Sequence, residues 1–393
     1  MTDRPITVPP EIVILFTQIL PERSDRFQVS AKLRMTCRSY NNILHEPFRK
    51  EFLCHYSLRF TLPGLQHAQQ GVGYHLFEEV KSISFDGTSL LPQPRETFRD
   101  CKALALLADW TWTTMLKSIS LYLVSLVEIN LLPPSQPVDQ TQAVYDRWIM
   151  SVRQVLSSLT PNLENLQILR LARPQLGTAL DTCTLFPLNM SDIIFTADYS
   201  SLTTLHLGLT SDISLASLHG NQYGHLIAQG CNNITTLRRL DIHILVSSRT
   251  RACVEEHRQF SDEFCKTLNI ASLTHLSLAG MITTHTYLHT LFRQVTSELV
   301  SLELFRMLLP DMADWNKTVS TFERAISLKV LKLHIIALPY GFLVSFGPLR
   351  SCSYSWSRGD AKFGIAGCIA EMTDAKLDIW RNHMFCTHAK NLH

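Results

Sequence analysis

The feature that most constrains this chain is an apolar spacing, L-x-x-L-x-L, that recurs along its length. It stands at Leu166-Leu169-Leu171, Leu202-Leu205-Leu207, Leu237-Leu240-Ile242, Leu273-Leu276-Leu278, Leu299-Leu302-Leu304 and Leu328-Leu331-Leu333. Alternation at the last two apolar positions is the period of a strand that buries one face. The first apolar residue closes the turn into that strand. One copy would mean little, but six in succession describe units that cannot bury their leucines alone and have to stack. The middle residues are 36, 35, 36, 26 and 29 positions apart, so the longer steps imply insertions. Val80-Ile83-Phe85 and Leu116-Ile119-Leu121 read as two earlier, poorer copies.

Between the copies lie segments with helical spacing. Ser261 to Leu268 is expected to start at Ser261 as an N-cap, and Tyr287 to Phe292 and Ser320 to Ile326 follow the same period. A strand, a turn and a helix per unit predict an α/β solenoid with a curved parallel sheet inside and helices outside. The steps of 26 and 29 fall in the ~20–29-residue range of leucine-rich repeats. Pro133 to Gln140 is a Pro-rich loop, and Gly347 to His393 holds no further copy. That last stretch is expected to cap the open end of the stack. The division expected is 1–55 helical, 56–346 solenoid and 347–393 cap.

The first 55 residues differ. Pro9 and Pro10 suit the first positions of a helix, where a missing N–H has no intrahelical partner. From Ile12, at 100° per residue, Val13, Leu15, Phe16, Ile19 and Leu20 spread over roughly 160°, against a ~100° stripe for a single core. Such a face is wider than two short neighbouring helices can cover. Pro21 to Asp25 is a polar break. Val29, Leu33 and Cys37 then mark a second helix, and Tyr40, Ile43 and Leu44 a third that Pro47 limits. Phe48, Phe52 and Leu53 are expected to continue into a linking helix.

Composition narrows the function class. Hydrophobic residues make up 46% and charged residues 18% of 393, which argues for a folded chain with a large core. A net charge of +2 without any Lys/Arg-rich run gives no reason to expect nucleic acid. The N-terminus lacks the apolar segment of a secretory signal, and Ile119 to Leu132 is too short to span a bilayer. A soluble intracellular protein, cytoplasmic and/or nuclear, is the expectation. The ten cysteines include no C-x-x-C and read as free thiols, so no metal site is expected. No phosphate loop, nucleophile elbow or zinc helix is present in the sequence, so neither enzyme chemistry nor a cofactor is expected. His285 and His289 stand four apart, but neither a carboxylate nor a cysteine completes a ligand set.

Pro10-Glu11-Ile12, Ile19-Leu20, Leu33, Cys37-Arg38 and Tyr40 resemble the F-box motif, over about 45 residues. That motif opens Leu-Pro-x-Glu-Ile and closes Val-Cys-Arg-x-Trp. Val8 or Pro9 stands at the leading Leu, Thr36 at the Val and Tyr40 at the Trp. With the repeats, the chain resembles F-box/leucine-rich-repeat proteins of the fungal type. The resemblance implies a non-enzymatic substrate-recognition subunit of an SCF-type ubiquitin ligase. Its F-box would dock on a Skp1-like adaptor, and through it a cullin, while the repeats hold a protein substrate. Pro10, Ile12, Leu15, Phe16, Leu20 and Leu33 are the expected adaptor contacts. The rival reading is a leucine-rich-repeat scaffold or inhibitor with a helical cap.

Substrate contacts are expected between the leucines, on the outward positions of the strands. Arg170, His206, Arg239, Asp241, His275, Glu303, Phe305 and Lys332 are the candidates. His206, His243, His275 and His334 read as polar positions of that exposed face. A row of mixed charge with apolar spots at Ile168, Phe305 and Val330 suits a protein ligand better than a polyanion.

Overall fold

A computed structural model describes residues 9–48, 51, 54–59, 76–86, 111–132, 152, 155–159, 164–171, 180–181, 199–211, 220–246, 251–294, 298–309, 318, 328–334, 345–346, 353–357 and 369–370. The expected loop at Pro133 to Gln140, the helix at Ser320 to Ile326, Phe52, Leu53 and most of 347–393 lie outside them.

Three helices open the chain: α1 (Pro10–Gln18), α2 (Arg23–Thr36) and α3 (Arg38–Phe48). Pro9 is the N-cap of α1 and Pro10 its first residue, as the missing N–H requires. Pro47 lies inside the last turn of α3, so that helix ends one residue later than the proline suggests. Val13, Leu44 and Phe48 are the buried apolar side chains described here. Among the described residues the core of this unit is small, and none of its members belongs to the continuous core that runs from Leu58 to Leu333.

The rest is an α/β arrangement on an open sheet. Its parallel strands are β1 (His55–Arg59), β2 (Ser82–Asp86), β3 (Glu128–Leu132), β4 (Ile168–Leu171), β6 (Thr204–Ser211), β7 (Arg239–Val246), β8 (His275–Ala279), β9 (Ser301–Phe305) and β10 (Val330–His334). These nine are hydrogen-bonded in chain order, and β5 (Leu180–Asp181) adds to β6. Between them lie α4 (Thr111–Ser120), α5 (Gly220–Asn233), α6 (Arg251–Thr267) and α7 (His285–Phe292). A short pair, β11 (Ser345–Phe346) and β13 (Ile369–Ala370), stands apart.

Parallel strands cannot pair within one unit, so every backbone partner comes from the next. The residue just before each strand shows this most clearly. The Cys54 carbonyl accepts the N–H groups of Lys81 and Ser82, and the Lys81 carbonyl those of Val127 and Glu128. The pattern repeats through Val127, Gln167, Thr203, Arg238, Thr274 and Val300 to Lys329 and Val330, at N···O distances of 2.7–3.0 Å. Each of these carbonyls thus uses both lone pairs on its neighbour. At the far end β12 (Ser353–Ser357) pairs antiparallel with β10, which covers an edge that would otherwise offer a row of unpaired groups.

The leucines of all six strong copies are buried. An apolar residue three places earlier completes the turn: Phe77, Leu123, Tyr199, Ile234 and Ile270 are buried, and each carbonyl accepts the N–H of the first apolar residue of the copy. Val80-Ile83-Phe85 does form β2. Leu116-Ile119-Leu121 does not form a strand: Leu116 and Ile119 face the core from α4, and Leu121 is exposed. The copy there is Leu126-Ile129-Leu131, on β3. A Leu-x-x-Ile step fits a helix turn as well as the start of the repeat, and the neighbouring elements decide between them.

Two further expectations change. Ser261 is no N-cap; it is buried in the interior of α6, which begins ten residues earlier. His257, Phe260, Ser261, Phe264 and Cys265 form its buried stripe, so Ser261 packs into the core rather than capping the helix. The longer repeat steps around β6 and β7 contain eight-residue strands and helices of 14 and 17 residues; they are enlarged units, not loops inserted in small ones.

Two stability predictions follow from α5 and α6. Alanine ordinarily improves a helix interior by up to about 1 kcal/mol over glycine. A Cβ on Gly224 would, however, meet the Phe260 carbonyl oxygen at 2.2 Å, so the two helices would have to part. Gly224→Ala should lower the urea midpoint, corresponding to a loss of about 1–3 kcal/mol. His257 is buried with neither ring nitrogen hydrogen-bonded among the described residues, and burial pushes its pKa down to about 3. Below pH 6.5 the unfolded chain binds a proton there and the folded chain does not, so stability falls with pH by about 1.4 kcal/mol per unit. His257→Leu should remove about 2 kcal/mol of the loss between pH 6.5 and 5, read from urea midpoints; an unchanged slope would contradict this.

Candidate functional site

Because side chains alternate along a strand, the leucines on one face leave the other to the intervening residues. Strand register aligns these in rows. The middle row runs Ser57, Ser84, Asn130, Arg170, His206, Asp241, Ser277, Glu303, Lys332 and Ser355, and every member is polar. Strands buried on both faces would read as unbroken apolar runs, so this row marks the side without a helix layer.

Its charges are largely matched across strands. Glu128 Oε1 lies 2.8 Å from Arg170 Nε, an ion pair in which the N–H points off the carboxylate. Asp241 receives the His206 Nδ1 from β6 and the Arg239 Nε, the latter at 3.0 Å. Burial pushes the Asp241 carboxyl up, but His206 and Arg239 together bring it below the ordinary carboxylate value. Lys332 Nζ stands 3.8 Å from Glu303. Asn130 Nδ2 donates to the hydroxyls of Ser82 and Ser84 at 3.2 and 3.3 Å. A self-paired row offers hydrogen-bonding edges rather than net charge.

The row nearer the strand starts contains Ile168, Thr204, Arg239, His275, Ser301 and Val330. Here His275 Nδ1 is 2.8 Å from the Thr274 hydroxyl. Of the expected substrate contacts, Arg170, His206, Asp241, His275, Glu303, Phe305 and Lys332 are half-buried and Arg239 exposed. They lie in three rows on six neighbouring strands.

The row nearer the strand ends differs from expectation. His243 is not an exposed polar position but is buried, as are Gly208 and Ala279 beside it. The reason is strand length: β7 continues four residues beyond Ile242, so His243 sits inside the sheet rather than at its end. Burial, with the charge of Arg306, pushes the His243 pKa down to about 4. The side chain of His334 lies outside the described residues.

Arg306 was not legible as a site residue. It follows β9 directly, has a φ of +53°, and holds its guanidinium 4.8 Å from the centre of the Phe305 ring. The equivalent residue of the preceding unit is Gly280, φ +74°. An arginine at a place where the adjacent repeat has glycine is the signal that alignment of the two units supplies.

The N-terminal helices present a second surface. Ile12, Leu15 and Ile19 of α1 and its C-cap are 55%, 54% and 70% exposed, while Val13 and Thr17 are buried. Ile12, Leu15 and Ile19 are spaced i, i+3, i+7 and so form one stripe, turned well away from the buried side. Phe27 and Met35 of α2 are exposed too. Of the expected adaptor contacts, Pro10, Ile12 and Leu15 are exposed, Leu20 and Leu33 are half-buried, and the Phe16 side chain lies outside the described residues.

Among the described residues no three His, Cys, Asp or Glu groups gather as a metal site, and no helix is long and apolar enough to cross a membrane. The His285 and His289 rings lie 5.3 Å apart, and His285 Nδ1 is 3.0 Å from the Thr318 hydroxyl. Cys231 is a buried thiol whose pKa burial raises to about 12, so it is no nucleophile. Compared with known proteins, the chain matches no family model and no curated sequence.

Asp241 is the hub of the middle row, and its lowered pKa gives a test. A carboxyl held below its ordinary value contributes stability above that value and loses it as pH falls through the folded pKa. Asp241→Asn should therefore cost roughly 1–3 kcal/mol at pH 7. The gap to wild type should close in acid, by denaturant titration at both pH values.

Proposed function

We propose that this chain is the substrate-receptor subunit of an SCF-type ubiquitin ligase. Its three N-terminal helices dock on a Skp1-type adaptor, and its sheet face holds the protein to be ubiquitinated. The observation that carries this reading is the exposed Ile12-Leu15-Ile19 stripe on a unit with so small a core. Large apolar side chains left in water along one helix face mark an interaction surface. The F-box-like residues lie on this same unit, and the adaptor is the partner they imply.

The sheet supports the second half of the reading. We take its stacked strand-turn-helix units as leucine-rich repeats of a solenoid, on the recurrence of the leucines and the carbonyl chain linking one unit to the next. The polar, self-paired outer face then serves as a platform for a protein. The receptor's contribution is positional: it brings a substrate lysine near a charged conjugating enzyme and raises its effective concentration.

Ile12 and Leu15 are exposed, so aspartate at both should leave the fold intact. Ile12→Asp with Leu15→Asp should reduce Skp1 capture on co-expression at least ~30-fold, a loss of about 2 kcal/mol or more at the centre of an interface. Its urea midpoint should match wild type. Undiminished capture would refute the ligase reading and leave an interaction scaffold with a helical cap.

A further inference from the structure

At the strand-end side of the outer face, two polar groups are buried without partners among the described residues. One is Nε2 of His243, a residue 94% removed from solvent, given its 6% exposure. The other is Nε of Arg306. The charged groups of the middle row meet opposite charges, but no carboxylate among the described residues pairs with the Arg306 guanidinium. Strand register places His243, buried Ala279 and Phe305 in one row, with Arg306 following directly, two strands from His243.

The backbone sharpens the point. Arg306 adopts a left-handed φ where the preceding unit has Gly280. An arginine in that conformation is strained, and strain in a non-glycine residue is retained where the surroundings or a ligand make use of it. Here the conformation turns a flat guanidinium onto the Phe305 ring, on the same face as the candidate binding rows. A half-buried cation without a counter-ion is unfavourable, and an incoming anion relieves it.

We propose that Arg306, with His243 and the Phe305 ring, forms a carboxylate-binding site, which takes an acidic side chain or the C-terminal carboxylate of a bound protein segment. This rests on reading the outer face as protein-binding, and it does not depend on the adaptor. The geometry of the guanidinium fork matches a carboxylate's two oxygens. The charge count agrees: one cation without a carboxylate partner among the described residues, beside a neutral imidazole, suits a monoanion. A phosphoryl dianion would bring a second negative charge that no described cation beside Arg306 balances.

The test uses the full chain, with sodium acetate as the probe against sodium chloride at equal ionic strength and pH 7. Near tenfold excess over its dissociation constant, acetate should raise the thermal midpoint by about 2 °C, with saturation. Arg306→Gly relaxes the strained φ, so it should melt in chloride at or above wild type, yet show no acetate-dependent rise. Arg306→Gln, which keeps a side chain there, should lose the rise as well. An equal rise in either variant, or none in wild type, would overturn the site. A larger rise with inorganic phosphate, lost in both variants, would overturn the carboxylate assignment. Adaptor capture is unaffected in every arm, so failure here leaves the ligase reading standing.

Discussion

Every strand of the main sheet leans on the one after it. The carbonyl ahead of each strand from β1 to β9, β5 apart, is saturated by two N–H groups of the following unit, and the leucines of each unit are covered by those of its neighbours. Fully burying one leucine contributes roughly 1.5–3 kcal/mol, but only where a neighbour exists to cover it. A single unit would leave both its backbone and its leucines in water. The stack is thus cooperative along its length, and its ends are where it is weakest. The antiparallel strand β12 on β10 answers this at one end by occupying an otherwise open edge.

One consequence is a division of labour between the two faces. The leucine face is committed to the core, so variation is confined to the opposite side. There the charges mostly satisfy one another, Arg170 with Glu128 and Asp241 with His206 across strands, and Asp241 with Arg239 along one. Such pairs contribute little net stability when partly exposed. They do fix side-chain positions, giving a prearranged set of donors and acceptors. Arg306 is the exception, a cation with no carboxylate partner among the described residues, at a point where the backbone is strained. The N-terminal helices are an exception of another kind, with apolar side chains outward and few inward.

Some elements were legible because their signals are periodic and local. The six strong leucine copies each became a strand, and the helix at Tyr287 to Phe292 is present as α7. Leu116-Ile119-Leu121 misled because its first step suits a helix and a repeat equally; the true copy at Leu126-Ile129-Leu131 substitutes Ile for Leu. Ser261 misled because a serine ahead of an acidic pair has the chemistry of a cap, and only the packing of α6 removes it from that role. The apolar residue three places before five of the copies, Phe77, Leu123, Tyr199, Ile234 and Ile270, was not legible, since its purpose is a turn that no pattern of alternation reveals.

The sequence alone determined that leucines at a strand-like spacing must stack, that one face of the sheet would be polar, and that the first helix would carry more apolar surface than its neighbours can cover. These follow from composition and period, which act within a few residues. The tertiary structure decided which polar residues find partners. His243 is buried because β7 runs on past the motif, and Asp241 is a hub because register brings His206 to it. Arg306 is unmatched because its turn falls where no carboxylate among the described residues stands opposite. Pairing and burial depend on residues tens of positions apart, and no local pattern encodes that distance.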